Sequence, residues 1–347
     1  MGFLKDKTLG FFVKTNGFAS KQIYGGLGLV FMLHRVLPPE LRNKYTLNRD
    51  LAITPDHLES VILYLTRNGY SFISLDELYH VLKEGRKSAQ KMISITLDDG
   101  YRDNMEYGLP VFKKYNIPVT IYVTNCFPNQ TAIFWWYLLE NRIYMSNHIK
   151  IETETLKREF SWINIQQGVA LYPEIWGILK TLPKKDLAAT IKQSFQTDDE
   201  YLKEQCVKMA LTWTEIRQLS NEENVTIGAH TMNHLSMRML SDDDLNYEVT
   251  ASKAELEEKT GNPIAHFAYP YGGFGDTFTR EYAAVKKIGF KTATINHRGN
   301  VSYGQKDFME CIPRMPLGQN TTVEKINFML NGIDHFSFNG FAKTITY

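Results

Sequence analysis

Short apolar runs recur along the chain and are separated by stretches in which apolar residues repeat every three to four positions. The run LGLVFML, Leu27 to Leu33, continues into His34, Arg35 and Val36 before Pro38 and Pro39 end it. In Lys91 to Gly100, KMISITLDDG, the residues Ile93, Ile95 and Leu97 alternate with Ser94 and Thr96. Both segments read as buried strands, the second ending in two carboxylates and a glycine. Pro118 to Thr124 (PVTIYVT), Val225 to Ala229, Ile264 to Ala268, Phe290 to Ile295 and Ile312 to Leu317 have the same character, with a short strand at Ser71 to Ser74.

Helical spacing fills the gaps. A helix begins at Thr54, with Pro55 in its first turn and Leu58, Val61, Ile62 and Leu65 on one face. Others run from Asp76 to about Lys83 and through Leu109 to Tyr115, where Pro110 marks a kink or a new start. The capping box Thr212 to Glu215 opens another. A long helix starts at Ser241 to Asp244, and further helices end near Lys287 and span Thr322 to Leu330. Strand, helix and strand within about thirty residues form a βαβ unit, so the sheet is expected to be mainly parallel.

The stretch from Asn125 to Ala210 breaks this rhythm. Helical patterns at Phe134 to Tyr144, around Trp162 to Lys180, at Lys184 to Phe195 and near Asp198 to Lys208 predict an inserted helical subdomain, since so long a stretch is not a loop in a compact domain. Its Trp135, Trp136 and Tyr137 could stack on sugar rings, although core packing is the commoner use of such residues.

Length and charge narrow the classes. The 347 residues suffice for one large α/β domain or two smaller ones. With 39 Lys+Arg against 38 Asp+Glu there is no bulk attraction to nucleic acid or to an anionic membrane. Cys126, Cys206 and Cys311 are too few and too scattered for a disulfide framework or a thiolate metal site. Near the start, Lys5, Lys7 and Lys14 interrupt Phe3, Leu4, Leu9, Phe11 and Phe12, which leaves no secretory core. A cytoplasmic location is therefore expected. Peripheral membrane contact could come through a surface helix in the first twenty residues.

The strand ends carry the chemistry. Asp98 and Asp99 are adjacent, so on an extended backbone their side chains diverge and suit two roles around one centre. An Asp-Asp-Gly sequence is also an ordinary turn. His230 and His234 meet on one face if the segment between them turns helically, and two imidazoles with one carboxylate suit zinc or a similar divalent ion. Two solvated loop histidines are the plainer reading of that pair alone.

Taken together and in this order at strand ends, TLDDG, HTMNH and FAYPYG resemble the motifs of the polysaccharide deacetylase family, also called the NodB-homology or carbohydrate esterase family 4 domain. The resemblance covers about Leu27 to Leu330. It implies an α/β fold, a distorted parallel (β/α)7-type barrel with an inserted helical subdomain and a metal at its C-terminal face. Residues 1–26 would be an N-terminal extension and 27–347 the barrel domain, with the insertion at about 125–210. By position, the resemblance makes Asp99, His230 and His234 the metal ligands and Asp98 the general base. It places the oxyanion N–H at Tyr271, in the turn with Tyr269 and Pro270. One divalent ion is implied: zinc first, with cobalt, manganese and nickel also suited.

Two departures stand out. The family usually has an arginine two residues before the motif's proline, where this chain has Ala268; Arg314, on the last predicted strand, is the candidate replacement. The late Leu-x-His element that supplies the general acid is not evident after Gly273, where His297 and His335 follow no such strand. His34 does follow one, as in the rearranged order of poly-N-acetylglucosamine deacetylases, which makes it the expected acid. The expected activity is metal-dependent removal of acetyl from an N-acetylhexosamine-containing glycan or its lipid- or nucleotide-linked precursor. O-deacetylation, cleavage of another amide, or sugar binding without turnover are the alternatives, and nucleic acid is not an expected partner.

Overall fold

A computed structural model describes residues 21, 23–85 and 91–346. The expected N-terminal surface helix falls on residues outside these. Eight strands carry the fold: β1 (Gly28–Leu33), β2 (Met92–Leu97), β3 (Val119–Val123), β4 (Val225–Ala229), β5 (His266–Ala268), β6 (Thr292–Ile295), β7 (Ile312–Pro313) and β8 (Met315–Pro316). They lie in the order β7-β6-β5-β4-β3-β2-β1-β8, and each pairing is parallel. Ser71–Phe72 pairs with β2 beside this path.

The two ends of this order are one piece of chain. β7 and β8 are separated only by Arg314; the first pairs with β6 and the second with β1. The sheet thus comes back on itself as a nearly closed barrel. The sequence pattern predicts a single last strand from Ile312 to Leu317. The break at Arg314 arises because one segment must serve both edges of the seam.

Strand alternation divides the residues between two environments. Leu29, Phe31 and Leu33 of β1, Ile93, Ile95 and Leu97 of β2, and Val119, Ile121 and Val123 of β3 pack into one core with the surrounding helices. The alternate set faces inward and mixes apolar residues, among them Val30, Met92 and Tyr122, with polar ones. Thr96 donates to the Phe31 carbonyl and accepts from Arg314, Thr294 donates to the Tyr122 hydroxyl, and Arg314 lies 5.7 Å from the Tyr122 ring centre. Helices follow where the pattern puts them: Pro55–Arg67 is capped by Thr54, Trp213–Leu219 by a Thr212/Glu215 box, and Asp242–Thr260 by Ser241. Before Pro110 the chain forms a π-helical turn, Asn104–Gly108, which runs into Leu109–Lys114.

Between β3 and β4 lie helices Trp135–Met145, Ile165–Lys180, Lys184–Phe195 and Asp199–Met209. Trp135, Leu139, Ile143, Ile175 and Ile191 share a core separate from the barrel's main one. The helical reading of this stretch omits an antiparallel hairpin, His148–Glu152 with Lys157–Ser161. Its first strand alternates clearly, burying Ile149 and Ile151, but its second buries only Phe160 and gives too weak a period to stand out. Among the described residues no helix is long and apolar enough to cross a membrane.

The closest backbone approach in the sheet is testable. A Cβ on Gly28 would stand 1.7 Å from the Met92 carbonyl oxygen, whereas one on Gly177 would meet nothing within 4 Å. Gly28→Ala should cost about 3 kcal/mol or more in urea unfolding, because backbone rather than a side chain must yield. Gly177→Ala, within a helix, should be neutral or gain up to about 1 kcal/mol. Equal effects of the two would contradict the pairing of β1 with β2.

Candidate active site

The inward parity of each strand delivers a polar group to the C-terminal rim. Leu33 pairs with Leu97 in register, so His34 and Asp98, one residue further on, stand side by side, and the Asp98 N–H donates to the Leu33 carbonyl (2.9 Å). Both continue the inward-facing set. Alternation alone would send Asp99 outward; instead its φ of +79° turns it back over the barrel mouth, a conformation that few non-glycine residues adopt and that aspartate tolerates better than most. The expected divergence of the two carboxylates is thus modified by the backbone, and both serve the same cavity.

Asp98 is clamped. Arg314 donates from one guanidinium nitrogen to Asp98 Oδ1 (2.6 Å) and from another to Oδ2 (2.8 Å), and it also bonds Thr96 (3.1 Å) and the Ile295 carbonyl (3.4 Å). Both side chains are buried. Burial alone would raise the Asp98 pKa, but the Arg314 charge and the nearby His230 outweigh it and hold the carboxyl below its ordinary value.

His230 ends β4, and its Nδ1 lies 2.7 Å from the Ala268 carbonyl. A carbonyl only accepts, so this contact puts the proton on Nδ1 and leaves the Nε2 lone pair directed at Asp99, 3.4 Å from Oδ1. His234 Nε2 is 3.1 Å from the same oxygen. The two imidazoles meet, with ring centres 5.2 Å apart, but not through a helical turn. Thr231 and His234 both have positive φ, and the Thr231 hydroxyl holds the His234 N–H. Burial pushes the Asp99 pKa up, while the adjacent imidazoles, His234 first, bring it well below the usual range when they carry positive charge or donate to it.

Donor atoms of Asp99, His230 and His234 lie within 4.8 Å of one another, and the buried Asp99 Oδ1 has no hydrogen-bond partner. An orphaned carboxylate oxygen facing an imidazole lone pair is costly unless a cation lies between them. The residues present therefore fit a divalent ion, with an oxygen and two nitrogens as donors.

The remaining expected residues separate. Tyr271 has φ +62° and packs its ring on His234 (4.9 Å) and Trp176 (5.6 Å). Its N–H carries no hydrogen bond to the described residues, while the next N–H, that of Gly272, bonds Pro270 (2.6 Å). Pro270 is buried behind the turn. Tyr269 borders the cavity, but by strand parity its ring enters the outer core, and its hydroxyl donates to the Glu310 carbonyl. His34 lines the cavity with Asp98, Asp99, His230 and His234, and the volume is about 850 Å³. His297 instead bonds Asn339 and packs on Phe274, and both ring nitrogens of His335 are used by Asn300 and Ala342.

Of the aromatic trio, Trp136 lines the cavity and packs on His234, while Trp135 meets Trp176 and Tyr137 accepts from Arg35. Trp176, Lys180 and Asp276 also line the cavity and were not legible as site residues. They are single residues in helix or loop patterns, and only the tertiary fold gathers them.

Comparison with known proteins bears on the family and the fold. The family model described as Polysaccharide deacetylase matches residues 85–164 and 166–293. YxkH of Bacillus subtilis (strain 168) is 31% identical over 87 residues, which are 25% of this chain and 31% of that protein, so the match spans about a third of the curated relative's length. Among solved structures, Streptococcus pyogenes deacetylase PplD in complex with acetate superposes with a TM-score of 0.56 at 16% identity, covering 87% of this chain and 97% of that one. The de-N-acetylase from Aggregatibacter actinomycetemcomitans gives 0.56 at 15% identity, covering 86% and 98%. At such identities the likeness is one of fold.

The clamp makes a stability prediction. Arg314→Met leaves Asp98 buried and unpaired and should lower unfolding free energy by about 3–5 kcal/mol. Adding Asp98→Asn should recover part of that loss. Additive losses in urea titrations of the single and double variants would show that the two groups do not interact.

Proposed function

The chain belongs to the polysaccharide deacetylase family, and from that premise we propose that it hydrolyses the N-acetyl group of an aminosugar in a glycan or a carrier-linked glycan precursor. The observation that carries this reading is the meeting, in one sugar-sized cavity, of the orphaned Asp99 oxygen, two imidazole nitrogens and the Arg314-clamped Asp98. When bound by Asp99, His230 and His234, a divalent cation, zinc first, supplies polarisation of the acetyl carbonyl and a more acidic water.

The chain's own groups do the rest. Asp98 takes the proton of the attacking water; with each oxygen accepting one bond from Arg314, it keeps lone pairs free for this. The Tyr271 N–H, without a hydrogen-bond partner among the described residues, donates to the oxygen on which negative charge develops. His34 protonates the leaving amine. It stands in register beside Asp98, and the histidines that line the cavity are His34, His230 and His234. Arg314 replaces the motif arginine that Ala268 lacks. Since His34 and Arg314 both lie outside the span matched by the family model, this reading also supports the rearranged motif order.

Acetate release from defined N-acetylated and O-acetylated sugars is the direct measurement. Turnover should vanish on dialysis against a chelator and return with one equivalent of zinc or cobalt. Asp99→Ala should weaken metal binding by about 100-fold or more. Asp98→Asn should lower kcat by about 10²–10⁴-fold with metal stoichiometry and melting temperature retained. His34→Gln should lower turnover over a comparable range and His297→Gln should leave it unchanged; the reverse outcome would move the acid role to His297.

A further inference from the structure

Among its contacts with the barrel, the segment inserted between β3 and β4 is fastened to the rim on the side of β1 and on the side of β5. On the side of β1, the buried Glu140 carboxylate accepts the backbone N–H groups of Thr46, Leu47 (3.0 Å) and Asn48 (3.1 Å) and the Asn48 amide (2.7 Å). The Tyr172 hydroxyl donates to the same amide's oxygen (3.0 Å). On the side of β5, Lys180 Nζ is 2.7 Å from Asp276 Oδ1 and lies over the rings of Trp176 (5.2 Å) and Tyr271 (5.4 Å). In the sheet order β1 and β5 are four places apart, and three the other way when β7 and β8 are counted as the one segment they form, which is about halfway round the nearly closed barrel. The insertion therefore reaches across half the rim. Trp136, Trp176 and Lys180 from it form one wall of the catalytic cavity, while Gln319, Asn320 and Lys325, which follow β8, line another.

An interior sugar of a polymer is bonded on both sides, so its neighbours must leave the site in two directions. A rim spanned over half its circumference confines those directions to the other half. The cavity's volume of about 850 Å³ falls within the range of single-ligand sites, and it opens on the side that the insertion does not cover. We infer that this protein acts end-on: its substrate is an N-acetylated sugar at the terminus of a glycan or alone on a small carrier, and the insertion makes that choice. The inference rests on the deacetylase reading above and specifies its substrate class. Trp136 and Trp176 supply the apolar faces on which a terminal ring lies, and the Lys180–Asp276 and Tyr172–Asn48 contacts hold that wall in place.

The test uses the zinc-loaded full chain and an N-acetylated hexasaccharide, with tandem mass spectrometry to locate each free amine. Amines confined to a terminal sugar are the expected result; amines at interior positions at comparable rates would overturn the inference while leaving the deacetylase reading intact. Absence of acetate release from every sugar, terminal or free, would instead overturn the deacetylase reading and this inference with it. In Lys180→Met/Tyr172→Phe the ratio of interior to terminal deacetylation should rise by about tenfold or more. An unchanged ratio in a folded variant would show that the insertion does not set the choice. The wild-type product pattern decides the main question even if this variant fails to fold.

Discussion

A guanidinium and a carboxylate, both buried, meet where the sheet closes. Arg314 interrupts the one segment that pairs with both ends of the barrel, and its side chain bonds a carbonyl on β6, a hydroxyl on β2 and the Asp98 carboxylate just beyond β2. Taking two such ions out of water costs several kcal/mol each, which well-aligned contacts offset only when remaining donors and acceptors are also satisfied. Here they are, by Thr96 and the Ile295 carbonyl. The pair is thus a strut across the seam and also the device that fixes the proposed base. Fold and chemistry would fail together if it were lost.

Backbone strain forms the second constraint. Asp99, Thr231, His234 and Tyr271 all have φ between +55° and +79°, and three of the four present a side chain or N–H to the same cavity. For non-glycine residues this region is uncommon, and single instances cost on the order of 1 kcal/mol or more. Such conformations persist because strands packed on both faces hold the loop ends. They allow residues of opposite strand parity to point at one centre, which regular alternation forbids.

The sequence pattern exposed the barrel because its strands are apolar on alternate positions and end abruptly in polar groups. Asp98, Asp99, His230 and Arg314 were legible for the same reason: each stands at a strand end or strand break, and a strand end has a definite place in a parallel barrel; His234 was read from its spacing to His230. What was illegible depends on torsions or on remote contacts. Nothing in HTMNH signals that Thr231 and His234 adopt left-handed torsions instead of a helical turn. Tyr269 reads as part of the loop motif, yet it is still governed by the parity of β5 and turns to the core. Lys180 and Asp276 are far apart in the chain and look like ordinary surface charges until the insertion docks.

Chain order matters less in such a barrel than sheet order. The family model matches residues 85–293, but for one residue, and this span supplies β2 to β5 and the start of β6. The gap it leaves is filled by β1 from the start of the chain and by β7 and β8 from its end, side by side across the seam. Parallel strands are joined by helices on the outside, so a strand can come from either terminus and still deliver its last residue to the same rim. In the proposed reading His34 takes the place of a histidine after Gly273: β1 sets its imidazole in register with Asp98, whereas His297 and His335 make contacts outside the cavity. Arg314 likewise reaches Asp98 from the neighbouring seam rather than from position 268 on β5, where the alanine's backbone carbonyl orients His230. The proposed acid and the steering arginine are thus supplied by the two strands that close the barrel.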